Sequence, residues 1–324
     1  MGTPTSGPLA GVRDAARAVA GRARLVRVNE GRVADYAASL PLEQAARPRH
    51  DAAMHFLGHG DATVAFFLTL DAINFGSGYF PHLRKLPGRS GYGTVASHLT
   101  RRFAEQGPLP AETLARLSPD ACLALFDQDP QNAVARELMG FFAKALNDLG
   151  RWLLDQFDGS FVAAVEAAGH SAERLVALLT EMPFFNDVER YGGLDVPFYK
   201  RAQLTAADLA IAFDGQGPGR LDDLDRLTIF ADNLVPHVLR VDGILAYDAD
   251  LAAGIDAEQL LPAGSPEEVE IRACAVHAVE LMADALRQSG RPVTPAGLDY
   301  LLWNRGQAPH YKARPRHRTR TVFY

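Results

Sequence analysis

Asp232 stands in Leu227-Thr228-Ile229-Phe230-Ala231-Asp232-Asn233-Leu234-Val235-Pro236. Placed on a helix, it would have Thr228, Ile229, Val235 and Pro236 as neighbours one turn away, and Pro236 would kink or end that helix. A carboxylate in such a ring is desolvated unless something pairs with it. It is therefore either a cap or structural pair, or a group held ready for chemistry. Asp299 is the second such acid: Leu298-Asp299-Tyr300-Leu301-Leu302-Trp303-Asn304 is nearly all apolar, with Trp303 one turn beyond it. Two cationic features complete the set. Lys200-Arg201, in Phe198-Tyr199-Lys200-Arg201-Ala202-Gln203, reads as a phosphate clamp or as a surface pair. Lys312, Arg314, Arg316, His317, Arg318 and Arg320 crowd the C-terminus, which closes on Val322-Phe323-Tyr324. A basic end on an acidic chain is often a solvated tail. The apolar ending predicts instead that it folds back, with its cations facing an anion. Isolated acids in apolar helices, with cations elsewhere, suit a ligand that is partly cationic and partly anionic; spacing alone does not name it.

Other chemistries find less support. No Walker loop, G-x-S-x-G elbow or H-E-x-x-H occurs. His55 and His59 are four apart with Asp61 nearby, but Gly58 and Gly60 weaken a helix there and no third ligand has a typical spacing. No metal and no organic cofactor is expected. Cys122 and Cys274 are the only cysteines, too few for a disulfide framework or a cysteine zinc site. Leu86-Pro87-Gly88-Arg89-Ser90-Gly91 loosely matches the hairpin by which helix–hairpin–helix proteins offer amides to a phosphate, a weak signal alone.

The elements that must position these residues are mainly helices. The chain has 324 residues, 48% apolar and 22% charged, enough for one large domain or two. Its 33 basic and 39 acidic side chains leave a net charge of -6, against the basic excess usual in proteins that hold duplex nucleic acid. The apolar run from Ala62 to Leu70 is too short to span a bilayer and no signal peptide is evident, so a cytoplasmic protein is expected. Residues 11–27 could form a solvated basic helix, and Ala62–Phe75 a core helix. Further helices are predicted near 95–105, after Ser118-Pro119, over 131–157, and after Ser171 and Thr205, read as N-caps. Ser265-Pro266 with Glu268 has the form of a capping box, and opens an amphipathic helix through Ile271, Cys274, Ala275, Ala278 and Met282, with Glu267, Glu270 and Glu280 off the apolar stripe. Thr294-Pro295 opens the last helix. A short hairpin is expected around Gly192-Gly193. Residues 1–50 read as an N-terminal helical segment packed on a unit comprising 51–324. Oligomeric state is not readable.

Several ordered blocks resemble the queuosine salvage proteins, which are queuosine 5′-phosphate N-glycosylase/hydrolases. They are Leu70-Asp71-Ala72-Ile73-Asn74-Phe75, Phe198 to Gln203, Leu227 to Asp232, Val235-Pro236, Glu270-Ile271-Arg272-Ala273, Asp299 to Trp303, and His317 to Tyr324. The resemblance implies a helical, DNA-glycosylase-like architecture with few short strands. It implies hydrolysis of the N-glycosidic bond of queuosine 5′-monophosphate, freeing queuine for reinsertion into tRNA. It places the catalytic aspartate at Asp232 and base contacts at His55, Phe230, Asp299, Tyr300 and Asn304. Lys200, Arg201 and the terminal cations are then candidates for the 5′-phosphate. Asn304 stands where an acid is common in the family, and Asn233 and His237 also depart from its pattern. The implied partners are the nucleotide and its product, with no stable nucleic-acid complex and no membrane. The rival readings are a nucleic-acid base glycosylase and a non-catalytic queuine-binding protein.

Overall fold

In the computed structural model the described residues are 7–44 and 48–324; residues 1–6 and 45–47 of the predicted N-terminal segment lie outside them. The fold is mainly helical, and the strands among the described residues form three two-stranded ribbons. Two compact units share the chain in interleaved stretches. One takes residues up to Pro48, Asp187–Gln203 and Asp223–Arg320; the other takes Arg49–Asn186, Leu204–Asp222 and Thr321–Tyr324.

The first unit is built round the helix Pro266–Gln288. Against it pack the helices Pro8–Ala20, Glu30–Ser39, Leu234–Val241 and Pro295–Arg305, and the strand Val26–Val28. Pro8–Ala20 ends at Gly21, earlier than expected, and is no solvated helix. Its Leu9, Val12, Ala16 and Val19 are buried, while Arg13 pairs with Glu280 at 3.0 Å. Arginines on the opposite side had masked that apolar stripe. Glu270 is the second departure. It is buried, and its carboxylate accepts the backbone N–H groups of Arg24, Leu25 and Val26 and the Tyr191 hydroxyl. The central helix therefore has no solvated face at Glu270, because an incoming backbone supplies the donors that water would have supplied.

The ribbons belong to this unit. Val26–Val28 pairs antiparallel with Leu245–Tyr247. Val188–Tyr191 and Leu194–Pro197 form the expected hairpin across Gly192 and Gly193, both with positive φ as the tight turn requires. Arg318–Thr319 runs parallel to Leu260–Leu261, so the basic terminus is folded back up to that point. Gly306 ends Pro295–Arg305 close against Leu234. A Cβ there would stand 2.8 Å from Leu234 Cδ1, so the absent side chain lets this helix approach the start of Leu234–Val241.

In the second unit Asp61–Ala72 is buried from Thr63 to Ala72 and packs on Ala133–Phe157, Gly91–Gln106 and Phe161–Glu166. Ser118 and Ser171 each accept a backbone N–H at a helix start, as expected, and Ser90 and Asn132, which the sequence did not single out, do the same. Thr205 does not. It lies buried inside Lys200–Ala212, a helix that begins earlier because Tyr199, with φ of 48°, turns the chain just before it. Tyr324 is buried, and its backbone oxygen accepts the Gly76 N–H at 2.9 Å.

Candidate active site

From Leu227 to Asn233 the backbone of the first unit is neither helix nor strand, so its peptide groups need partners from elsewhere. Side chains supply them. Gln203 Oε1 accepts the Thr228 N–H at 2.8 Å, Asp299 Oδ1 accepts the Phe230 N–H at 2.9 Å, and Arg272 Nε donates to the Ala231 carbonyl at 3.0 Å. Gln203 in turn donates to the Phe198 carbonyl and the Thr228 hydroxyl, both at 2.9 Å. Three elements distant in sequence thus clamp one short segment.

Asp232 follows directly. Its Oδ1 accepts the N–H groups of Leu234 at 2.7 Å and Val235 at 3.3 Å, two of the donors left open at the start of the helix Leu234–Val241. Asp232 is thus not inside a helix ringed by residues at helical spacing, as the sequence suggested. The helix begins two residues later, and Pro236 falls in its first turn, where a missing N–H costs nothing. The structural role of a cap is real, but it engages one oxygen. Oδ2 takes no hydrogen bond from the described residues, and the side chain is half-buried.

Arg272 is the hub behind this segment. With 0% of its side chain exposed, it donates to Asp187 Oδ1 at 3.1 Å, to Asp187 Oδ2, and to Glu268 Oε1 at 3.4 Å. Its guanidinium lies 3.9 Å from the Phe198 ring centroid. A buried charge needs such company, since an unpaired one would be costly. Asp187 also accepts the Lys200 N–H at 3.2 Å. Lys200 and Arg201 are both buried, which removes the surface-pair reading. Nearby Glu189 is pushed up to about 7 by burial and then by Glu268, with Arg272 pulling the other way.

Glu268 modifies the expected capping box. Ser265 Oγ accepts the Glu268 N–H, but Glu268 reaches back to the Gly264 N–H at 2.9 Å and turns its other oxygen to Arg272.

The terminal segment passes beside the same place. Asn233 Nδ2 donates to the His317 carbonyl at 3.4 Å, and His237 Nε2 meets the Tyr311 carbonyl at 2.9 Å. Burial, then Arg272 and Arg316, push the His317 imidazole down to about 3, so it stays neutral there.

Asp299 is engaged by the backbone N–H of Phe230, and Lys200 reaches the same cluster through its backbone N–H on Asp187, while Asp232 follows Ala231 in the chain and bonds instead to Leu234 and Val235. Tyr300 and Asn304 ride on the Asp299 helix. Asn304 is exposed and donates its amide to the Tyr300 carbonyl at 2.9 Å, and Trp303 beside it is 38% exposed.

His55 belongs to the second unit. There its Nδ1 meets the Asp51 carbonyl and its Nε2 the Tyr92 hydroxyl, each at 2.9 Å, and burial, then His50, lowers it to about 4. A neutral ring with the proton on Nδ1 satisfies both contacts. His59 instead stacks on Phe56 at 3.8 Å, so the two histidines of the tested metal pattern serve different partners.

Arg272, Asp187 and Gln203 received no role from the sequence. Arg272 carried a readable signal, since Val269, Ala275 and Val276 flank it at helical spacing, as apolar residues flank Asp299.

These features define a helical protein with a fixed carboxylate that offers one oxygen, the kind of group that stabilises developing positive charge. The model of the family described as queuosine salvage protein matches residues 54–324, and the chain belongs to that family. A queuosine 5′-phosphate N-glycosylase/hydrolase of Sphaerobacter thermophilus is 37% identical over 319 residues, 97% of this chain and 98% of that protein. The mouse protein of the same name is 31% identical over 339 residues, 98% and 100% of the two chains. That of Dictyostelium discoideum is 32% identical over 266 residues, 82% and 79%.

Proposed function

We propose that this protein hydrolyses the N-glycosidic bond of queuosine 5′-monophosphate, releasing queuine and ribose 5-phosphate. The observation that carries the reading is the divided carboxylate of Asp232: one oxygen tied to two backbone donors, the other without a hydrogen bond from the described residues. Family membership and the names of relatives that span nearly the whole chain support it.

Breaking a ribosyl C–N bond builds oxocarbenium character on the sugar. An anion held beneath the anomeric carbon stabilises that state more than the ground state, and a preorganised one needs no rearrangement to do so. In this reading Oδ2 faces the sugar while the cap holds Oδ1. Water completes the reaction at the anomeric carbon, and its proton balances the departing base. A 7-deazapurine has carbon where a purine has N7, so protonation at that position is not available to help the base leave. More of the burden falls on the sugar side, and hence on Asp232.

Phe230, Tyr300 and the exposed Trp303 are aromatic faces for stacking a base, each worth about 1–3 kcal/mol if it does so. Asp299 and Asn304 supply polar contacts to it, and Lys200 supplies positive charge toward the phosphate. The substrate is a free small nucleotide, and no nucleic-acid complex is needed, in keeping with the net charge of -6. A cytoplasmic location is part of the proposal. No helix among the described residues is long and apolar enough to cross a membrane, and both cysteines are free and buried, their thiols raised to about 12 by burial.

The test is incubation with queuosine 5′-monophosphate followed by mass analysis. Stoichiometric queuine and ribose 5-phosphate are expected. Unchanged nucleotide bound to the protein would make it a carrier. Base release from duplex or single-stranded nucleic acid alone would make it a base glycosylase.

A further inference from the structure

Arg272, Asp187 and Glu268 are buried together, one guanidinium between two carboxylates. Apolar residues of the same volume would hold a helix about as well, without taking charges out of water. What a guanidinium adds is direction, because its N–H groups lie in one plane and point to fixed sides. In Arg272 that plane is set by several partners. Nη1 and Nη2 donate to the two oxygens of Asp187, Nη1 also donates to Glu268, and the flat face lies over the Phe198 ring. The anion and the ring are themselves joined, since the Phe198 N–H donates to the Asp187 carbonyl at 2.8 Å. With the guanidinium so fixed, its Nε–H has one direction left, and there it meets the Ala231 carbonyl at 3.0 Å.

Ala231 is buried, offers only a methyl group, and lies in neither helix nor strand. Its carbonyl belongs to the planar peptide unit that ends on the Asp232 Cα. Holding that oxygen sets the plane from which the Asp232 side chain springs. At the far end, the N–H groups of Leu234 and Val235 hold Oδ1. A carboxylate fixed behind its Cα and at one oxygen carries its other oxygen in one direction. Without the first hold, the cap survives and the aim is lost. Gln203 and Asp299 grip Thr228 and Phe230, which stand further from Asp232 in the chain.

We propose that Arg272 is a positioning residue for the hydrolysis: by holding the Ala231 carbonyl, it aims the second oxygen of Asp232 at the anomeric carbon. The proposal rests on the hydrolase reading above, and the experiment tells the two apart.

The kcat and KM for queuosine 5′-monophosphate are measured for the unaltered protein, Arg272→Lys, Asp232→Asn and the double variant, at a temperature where urea unfolding shows each to be folded. Lysine keeps a positive charge for Asp187 and Glu268 but has no donor at the Nε position. Arg272→Lys should lower kcat about 10- to 100-fold, the effect of misplacing a reacting group by about 1 Å, and change KM less than about threefold. In the Asp232→Asn background the same substitution should cost less than about threefold, since no charged oxygen remains to be aimed. Glu270→Gln is the control for folding. Glu270 is buried on the same helix but serves the N–H groups of Arg24, Leu25 and Val26. Its loss should lower the urea midpoint and leave kcat within about twofold of the unaltered value. Where Arg272→Lys does not fold, Phe198→Leu takes its place, removing the ring under the guanidinium and leaving its ion pairs. That variant should lower kcat about 3- to 10-fold, with the same dependence on Asp232. An equal loss in both backgrounds would overturn the proposal, because Arg272 would then serve the fold alone. So would an unchanged kcat in the folded single variant, a rise in KM without a fall in kcat, or an equal loss of kcat in Glu270→Gln. If the unaltered protein releases no queuine, the hydrolase reading falls and the proposal with it.

Discussion

In the proposed reading Asp232 performs two tasks with two oxygens, capping with one and chemistry with the other, and substitutions separate them. Asparagine caps helices about as well as aspartate, so Asp232→Asn keeps an acceptor for Leu234 and Val235 while removing the charge. Its unfolding midpoint should stay near that of the unaltered protein. Asp232→Ala loses the cap as well and should cost about 1 kcal/mol, read as a lower urea midpoint. An alanine variant as stable as the asparagine variant would contradict the capping role. His317 gives a second expectation at this scale. An unfolded histidine takes a proton below about 6.5, whereas buried His317 refuses one until about 3. Between those values the unfolded chain holds the extra proton, so stability falls as pH falls, by up to about 1.4 kcal/mol per pH unit for each such group. His55, lowered to about 4, acts in the same sense. Glu189 acts oppositely from about 7 down to 4.5, where its folded carboxyl holds the proton first. Urea midpoints between pH 7 and 5 should therefore drop, and drop less steeply in His317→Asn. An unchanged slope in that variant would contradict the assignment.

At the scale of elements, the segment Leu227–Asn233 is held by side chains where a helix or sheet would have used backbone. Arg272 joins the Ala231 carbonyl to Asp187 and Glu268, so Arg272→Met strands two buried carboxylates. That should cost about 3–5 kcal/mol, measured by urea unfolding, whereas a loss below about 1 kcal/mol would mean the cluster is solvated. This scale also shows what the sequence made legible. Helix starts such as Ser118-Pro119, Ser171 and Thr294-Pro295 were readable because a cap and its N–H partner lie within three residues. The conformation of Asp232 was not, because its clamp comes from Gln203, Arg272 and Asp299. The apolar ring proposed round Asp232 assumed helical spacing in a stretch whose partners are long-range, so that local premise does not hold. Thr205 failed similarly: a positive φ at Tyr199 set the true start of its helix.

At the scale of the whole molecule, the interleaving of the two units had no local signature, since no linker or change of composition marks Asp187, Gln203 or Asp223. The role of the N-terminal residues was hidden too. The backbone from Arg24 to Val26 supplies donors to the buried Glu270, and Val26–Val28 completes a ribbon with Leu245–Tyr247. Removing residues 1–28 strands that carboxylate and uncovers the apolar side of Pro266–Gln288, so the truncated chain should melt at least about 5 °C lower. Introducing Glu270→Ala into the truncated chain should restore part of the loss, because the uncompensated charge is gone. A truncated chain with an unchanged melting temperature would contradict this account.

The most direct measurement is the rate of queuine and ribose 5-phosphate formation from queuosine 5′-monophosphate by the unaltered protein and by Asp232→Asn. Both products should be counted by mass spectrometry under saturating substrate. The unaltered protein should release them in equal amounts, and the variant should be slower by at least about 100-fold, about 2.7 kcal/mol of lost transition-state stabilisation. Turnover by the variant within about threefold of the unaltered rate would mean that the free oxygen of Asp232 does not do the chemistry assigned to it.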